Sequence, residues 1–282
     1  MLYFLLYLVF GVAFTQTIRW AQLREVDIYF TVAVNYVTAA VASLVFLCVW
    51  GDVTAVTDIR LMTLGVLNGV LYCVGLYLLL ECFRIVGTGI AAALANSASI
   101  VPVLVSHVIW TEDEPMTRER WIAVALLPLA AALMRPPQSE HVAMTMKGDI
   151  VLLLAFVCVG LSMTLHKVAT VSTGPGGLAA YQAYLFLTAA LTGAVVVAIQ
   201  RKWSNSSDWT WGVIVGLVNA LTTRLTVASI TALSAVIFFT TGGPLVVVLT
   251  VISGVVLWRE RISRRQAIGI IAAMAIVVLS HV

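Results

Sequence analysis

Charged residues are scarce in this chain. Asp, Glu, Lys and Arg make up 10% of its 282 residues, whereas 61% are hydrophobic. A soluble domain is about 25% charged and about 45–50% apolar, so the composition excludes an ordinary soluble protein. The formal net charge of +3 is too small to indicate binding to nucleic acid.

Motifs for catalysis and for metal binding are missing as well. The 4 cysteines have no metal-ligand or disulfide spacing, and the 4 histidines form no metal-spaced pair. No Gly-x-Ser-x-Gly element is present, and no carboxylate is placed to orient a catalytic base. The sequence therefore predicts no enzyme, no metal and no cofactor.

The chain has instead a series of charge-free runs. Crossing a bilayer takes roughly 17–25 apolar residues in a helix, because backbone polar groups in lipid must bond to each other. A turn cluster before Gly177 and a turn near 229–234 divide the two longest stretches. Together with the short segment Trp121–Met134, the runs predict an all-α polytopic membrane protein of about ten transmembrane helices. The unbroken runs are Met1–Ile18, Ile28–Gly51, Leu61–Leu80, Ile85–Thr111, Ile150–His166 and Gln266–Val282.

Three sequence matches recur in the same order in the two halves of the chain. Residues 114–123 (EPMTRERWIA) resemble 260–269 (ERISRRQAIG), and 64–69 (LGVLNG) resemble 215–220 (VGLVNA). The third match is a proline in the fourth predicted helix of each half, Pro102 and Pro244. We predict two five-helix repeats, 1–135 and 148–282, joined by a polar linker, 136–147.

An odd number of helices per repeat has a geometric consequence. The second repeat must enter the membrane from the opposite side, so the two repeats have inverted topology. Many secondary transporters share this plan, with the substrate site near the middle of the membrane where the repeats meet.

The chain resembles EamA-type carriers of the drug/metabolite transporter superfamily. The resemblance rests on the layout of five plus five helices, on the Glu-Arg-Ile-Ser element at 260–263 and on its weaker copy at 114–117. The prolines of the two fourth helices belong to the same resemblance. It covers essentially the whole chain and implies a carrier with a central cavity. Members of that superfamily export amino acids and other metabolites, and related branches move nucleotide sugars, phosphorylated sugars or cationic drugs.

Polar residues inside apolar helices are the candidate substrate pathway, because they must find partners in hydrocarbon. Each has a structural alternative: interhelical hydrogen bonding for the amides, packing for the histidine, and snorkelling to the interface for the arginine. Tyr72, Tyr77, Tyr181 and Tyr184 could add hydroxyl groups to the pathway or serve as packing and interface anchors. The candidates are Asn35, Asn68, Asn96, His107, Gln182, Asn219 and Arg224.

Interrupted helices at matching positions are a second pointer to a transport site. Proline removes a backbone donor, and Thr240 and Thr241 could bond to carbonyls that it frees. A tolerated kink is the alternative. The predicted interruptions are Pro102, Gly242, Gly243 and Pro244.

These observations favour a secondary transporter that moves a small polar or zwitterionic, amino-acid-like metabolite outward by alternating access. By our assignment of the spans, no carboxylate lies at a span centre, which disfavours the alternative, an exporter of lipophilic cations. A channel is the other alternative, although no selectivity-filter pattern is present.

The expected partners are the lipid bilayer and a small-molecule substrate. Gly269 and Ala273, four residues apart in the tenth span, also suggest a homodimer through that helix. The resemblance implies a cell (inner or plasma) membrane protein with cytoplasmic termini, whereas the distribution of Lys and Arg would place both termini outside. We predict cytoplasmic termini.

Overall fold

The structure is a computed structural model and describes residues 1–24, 26–85, 98–109, 116–134, 146–174, 176–200, 205–233, 235–259 and 263–280. Its described part contains ten α-helices, a 3-10 turn (Val53–Thr57) and no β-strand. The helices are α1 (Leu2–Leu23), α2 (Ile28–Trp50), α3 (Ile59–Ile85), α4 (Ile100–Ile109), α5 (Arg118–Met134), α6 (Met146–Ser172), α7 (Gly177–Gln200), α8 (Ser206–Ala232), α9 (Ala235–Trp258) and α10 (Arg264–Ser280).

Seven of the described helices are long and apolar enough to span a membrane: α1, α2, α3, α6, α7, α8 and α9. Their mean hydropathy ranges from 1.4 to 2.2, and α4 and part of α10 are shorter apolar helices. The predicted all-α polytopic membrane fold is confirmed. The turn predicted near 229–234 lies between α8 and α9, which are separated by two residues.

Contacts divide the chain into two compact units. The first unit comprises Met1–Val74 and Leu165–Ala232, and the second comprises Gly75–Thr164 and Leu233–Val282. Each unit thus combines segments of both predicted repeats. The repeat boundaries at 1–135 and 148–282 remain predictions.

In the second unit, the two copies of the repeated helix-end element start their helices in the same way. The carbonyls of Thr117 and Ser263 accept the backbone N–H four residues on, at 3.1 and 3.0 Å, and so begin α5 and α10. The Thr117 hydroxyl also accepts the Arg120 N–H at 3.3 Å, as an N-cap does. Glu114 and Glu260 lie outside the described residues.

The prolines predicted to interrupt helices occupy different positions within α4 and α9. Pro102 lies in the first turn of α4, where its missing N–H removes no bond within the described helix. Pro244, preceded by the two glycines, lies inside α9, which is helical over its whole length. One turn earlier, the hydroxyl of Thr240 donates to the carbonyl of Val236 at 2.6 Å, so a threonine near the proline does bond to the backbone.

Helix α10 packs into the core of the second unit through Ala273 and Ile276. Ala273 is fully buried in an apolar cluster that α5 and α9 complete with Ala123, Leu127, Ala130 and Val248. Other large apolar side chains of α10 are exposed, including Ile268, Ile271 and Val278. The homodimer through this helix remains a prediction.

Candidate functional site

Two helix pairs of the first unit approach closely at glycines. A Cβ added at Gly65 of α3 would lie 2.5 Å from the Cβ of Tyr184 in α7. One added at Gly216 of α8 would lie 2.5 Å from the carbonyl oxygen of Asn35 in α2. The two glycines hold the same place in the repeated Gly-x-x-Asn match. The same contact therefore occurs twice, each time between helices from different predicted repeats.

Each of these glycines is followed by an asparagine that bonds to the same neighbouring helix. Asn68 Nδ2 donates to the Tyr181 hydroxyl at 2.5 Å, and Asn219 Nδ2 donates to Asn35 Oδ1 at 3.1 Å. All four side chains are at most 2% exposed. Because an amide in hydrocarbon needs a partner, these two bonds fix the pairings of α3 with α7 and of α8 with α2.

Tyr72 and Thr223 lie between these two arrangements. Their hydroxyl oxygens are 3.0 Å apart, and the Tyr72 hydroxyl donates to Asn219 Oδ1 at 3.1 Å. The two residues are 151 positions apart, which is the separation of Asn68 and Asn219. Residues that match between the two predicted repeats and touch each other would lie near the axis that relates those repeats. Inverted-repeat carriers place their substrate and ion sites there.

His166 of α6 completes this group. Its Nδ1 lies 3.0 Å from the Tyr181 hydroxyl, and its ring meets Tyr72 edge-on at 6.0 Å between centroids. The Tyr181 hydroxyl is thus bonded to both Asn68 and His166. We call the whole group the buried polar core: Asn35, Asn68, Tyr72, His166, Tyr181, Asn219 and Thr223.

Arg224 directly follows Thr223 of the buried polar core on α8 and is half-buried. Its guanidinium donates to Gln182 Oε1 of α7 at 3.3 Å and lies over the ring of Phe46 of α2, 4.1 Å from the centroid. Gln182 is only 3% exposed. A snorkelling arginine would extend toward water, whereas this side chain bonds to groups within the first unit.

A cavity of about 550 Å³ opens beside Arg224. Its volume lies within the usual range for small-molecule sites, about 300–1,000 Å³. Leu178, Leu225 and Val227 are buried in its wall, while Tyr3 and Trp50 are more than half exposed. Phe46, Arg224, Ala228, Thr231 and Ala232 complete the lining that the structure describes, which we call the Arg224 cavity.

The predicted pathway residues therefore fall into three places. Three amides belong to the buried polar core, Arg224 lines the cavity, and Gln182 bonds to Arg224 without lining the cavity. His107 lies in α4 of the second unit, where its ring meets Trp121 edge-on at 5.6 Å. Asn96 lies outside the described residues. No group of three or more His, Cys, Asp or Glu suited to a metal occurs among the described residues.

Sequence reasoning missed three contributors. His166 is not part of any recognised sequence motif. Phe46 contacts Arg224 from another helix, and a contact between helices cannot be predicted from the spacing of residues in the sequence. Thr223 could have been found, because it matches Tyr72 at the separation already fixed by the asparagines.

Residues 146–281 match the model of the EamA-like transporter family. This half of the chain is similar to that family. The resemblance stated from the sequence is confirmed over these residues, and it suggests a transporter of the drug/metabolite superfamily and a multi-pass membrane protein.

A solved structure titled only as the crystal structure of a protein has the same fold as this EamA-like chain. The TM-score is 0.75, and the match covers 97% of this chain and 94% of the other. At 12% sequence identity, the likeness concerns the fold alone. No curated protein shows a significant sequence match.

Proposed function

We propose that this EamA-like protein is a secondary carrier that exports a small polar or zwitterionic, amino-acid-like metabolite by alternating access. The observation that carries the proposal is the Arg224 cavity, in which a fixed guanidinium faces a mostly apolar space of metabolite size.

Arg224 is suited to hold a carboxylate. A guanidinium offers five N–H donors in a planar fork, which matches the two oxygens of a carboxylate. One nitrogen donates to Gln182 and the ring of Phe46 supports the plane, so the orientation is set before a ligand arrives. A pre-oriented anchor reduces the ordering cost of binding.

The same geometry disfavours the alternative, export of lipophilic cations. An aromatic ring is the usual uncharged partner of a cation; Arg224 already covers a face of Phe46, which leaves the rings of Tyr3 and Trp50 in the described lining. None of the described lining residues is acidic. A cationic ligand would therefore meet a like charge with no carboxylate to offset it.

The predicted inversion of the two repeats supports alternating access. The glycine contacts and asparagine bonds pair α3 with α7 and α8 with α2, so helices of different repeats are joined at equivalent places. Two such repeats can exchange conformations and open one site to either side in turn. Outward direction and cytoplasmic termini follow from the family resemblance.

Efflux from proteoliposomes tests the proposal. Vesicles preloaded with individual radiolabelled amino acids would contain wild-type protein, Arg224→Ala, Arg224→Lys or Arg60→Ala. Arg60 is an exposed arginine at the start of α3, outside the described lining, and serves as the matched control. We expect saturable efflux from wild type and control, a loss of about tenfold or more in Arg224→Ala, and partial retention in Arg224→Lys.

The possible results separate the parts of the proposal. Full efflux by Arg224→Ala would keep a carrier but show that Arg224 is not the anchor. Absence of efflux for every amino acid would show that the substrate class is wrong and direct the search to sugars, nucleotide derivatives and cations.

A further inference from the structure

We infer that the Arg224 cavity is loaded from the membrane face at which α1 begins, and that contacts of α8 with α2 close it toward the opposite face. The inference rests on the proposed function and adds the side of access to it. With the predicted cytoplasmic termini, this conformation would be the one in which an exporter takes up its substrate.

Four helix ends meet around the cavity. Tyr3 and Leu178 lie in the first turns of α1 and α7. Trp50 and Ala232 are the last residues of α2 and α8. All four line the same cavity, and the four helices are each long and apolar enough to span a membrane. These ends therefore lie together at one face of the bilayer, the face at which α1 begins.

The exposure of the lining residues indicates where the cavity opens. On α8, Ala228 is half-buried and Thr231, nearer the end of the helix, is exposed. Tyr3 and Trp50 are more than half exposed. Arg224 lies deeper, eight residues before the end of α8, which is about 12 Å along a helix. The mouth is thus at the helix ends, and the guanidinium lies below it.

Toward the opposite face, α8 is packed against α2. Near the start of α8, Asp208 Oδ1 accepts the backbone N–H of Asp27, the N-cap of α2, at 2.9 Å. A Cβ added at Gly212 would lie 2.5 Å from the Cβ of Val34, and Gly216 makes the equally close approach described above. We call the contacts of Asp208, Gly212 and Gly216 with α2 the α2–α8 seal.

Other contacts close the same stretch of α8. The Thr222 hydroxyl donates to the carbonyl of Phe10 in α1 at 3.2 Å. Asn219 and Thr223 of the buried polar core are each 2% exposed and bond to side chains of α2 and α3. A carrier that works by alternating access keeps one face closed while the other is open. Release at the opposite face therefore requires the α2–α8 seal to open.

Cysteine modification in sealed membrane vesicles tests the inference without measuring transport. Cys48 and Cys158, the two cysteines that are not buried, would be replaced by serine. Ala228→Cys then places a reactive thiol in the cavity wall. The matched control is Ser206→Cys, at the exposed start of α8. A tag with a protease site ahead of α1 reports which face of the vesicle it occupies.

The reagent is 2-sulfonatoethyl methanethiosulfonate, a small anion that does not cross membranes and is not repelled by a guanidinium. We expect the thiol of Ala228→Cys to react about tenfold or more faster from the face of the tag, because it is reachable from the opposite face only in a minor conformation. The thiol of Ser206→Cys should react faster from the opposite face.

The α2–α8 seal is tested by weakening it. Asp208→Ala and, separately, Gly212→Ala would each be combined with Ala228→Cys, with Gly75→Ala as the matched control. Both seal variants should raise the modification from the face opposite the tag severalfold, because contacts made only in the closed state are lost. The control should not. Thermal unfolding confirms that each variant is folded, and Ala228→Cys alone keeps the test valid if neither seal variant folds.

Modification of Ala228→Cys at equal rates from both faces, faster from the face opposite the tag, or from neither face would overturn the inference. So would folded seal variants that leave the modification from the opposite face unchanged. The carrier proposal is judged separately by efflux. Saturable efflux with equal modification from both faces would retain the carrier and remove this inference, whereas one-sided modification without efflux of any amino acid would do the reverse.

Discussion

The clearest structural prediction concerns Gly216, where α8 meets α2. An alanine there would place a methyl group 2.5 Å from the Asn35 carbonyl oxygen and 2.6 Å from the Cβ of Thr38. One of these atoms belongs to the backbone, so no side-chain rotation relieves the contact. The helices must separate by roughly 1 Å to restore ordinary packing distance.

The expected cost follows from three contributions. Forced overpacking costs about 1–3 kcal/mol. The bond from Asn219 to Asn35, 3.1 Å long, would stretch beyond useful length, at about 0.6 kcal/mol. Alanine recovers up to about 1 kcal/mol of helix propensity relative to glycine. We expect Gly216→Ala to lower the free energy of unfolding by about 1–2 kcal/mol, or its apparent Tm by several degrees.

Buried cysteines provide the assay. Cys73 and Cys82 are at most 1% exposed, so a thiol-reactive dye labels them only when the protein unfolds. The exposed Cys48 would be replaced by serine in every variant to reduce the background. The control is Gly75→Ala, whose new Cβ would lie 3.3 Å from its nearest neighbour. An apparent Tm of Gly216→Ala equal to or above that of the control would refute the argument from close packing.

Three further predictions concern buried hydrogen bonds. A double-mutant cycle of Asn35→Ala and Asn219→Ala should give a coupling energy of about 0.5–1.7 kcal/mol by thermal unfolding; additive effects would show that their bond contributes nothing. His166→Phe should lower the free energy of unfolding by about 1 kcal/mol because Tyr181 loses a hydrogen-bond partner, with recovery in His166→Gln, and equal Tm values for the two variants would contradict this. Asp208→Asn should lower the free energy of unfolding by about 1–3 kcal/mol. The buried carboxylate accepts two backbone N–H groups at 2.9 Å, one on each oxygen, whereas the amide has only one acceptor oxygen. Unchanged amide hydrogen exchange at both donors would show that the carboxylate is not needed.

Much of the fold was predictable because a segment that spans the lipid must be helical. A charge-free run of sufficient length therefore indicates where each helix lies. The helix ends were less predictable. We ended one span at His166, before Lys167, but α6 continues to Ser172, because Lys167 is only 7% exposed and lies inside the fold. Similarly, α3 continues past Glu81 to Ile85. A charged residue ends an apolar run in the sequence without ending the helix.

Only those site residues that belong to the sequence matches between the two predicted repeats could be predicted. Asn68 and Asn219 were paired from the sequence, and the structure gives them equivalent bonds on opposite repeats. The partners of Arg224 were not predictable, because Phe46 and Gln182 come from two other helices and their contact depends on how α2, α7 and α8 pack. The composition of an apolar helix does not show which neighbouring helix a given side chain faces.

The most direct test of the account is counterflow in proteoliposomes. Vesicles loaded with an excess of an unlabelled substrate would be diluted into a trace of the same labelled compound, with wild type beside Arg224→Ala and Arg60→Ala. A carrier that exposes one site alternately predicts transient accumulation of label above its equilibrium level in wild type and Arg60→Ala, and none in Arg224→Ala. Label that only equilibrates, at a rate independent of the internal substrate, would contradict alternating access and indicate a channel.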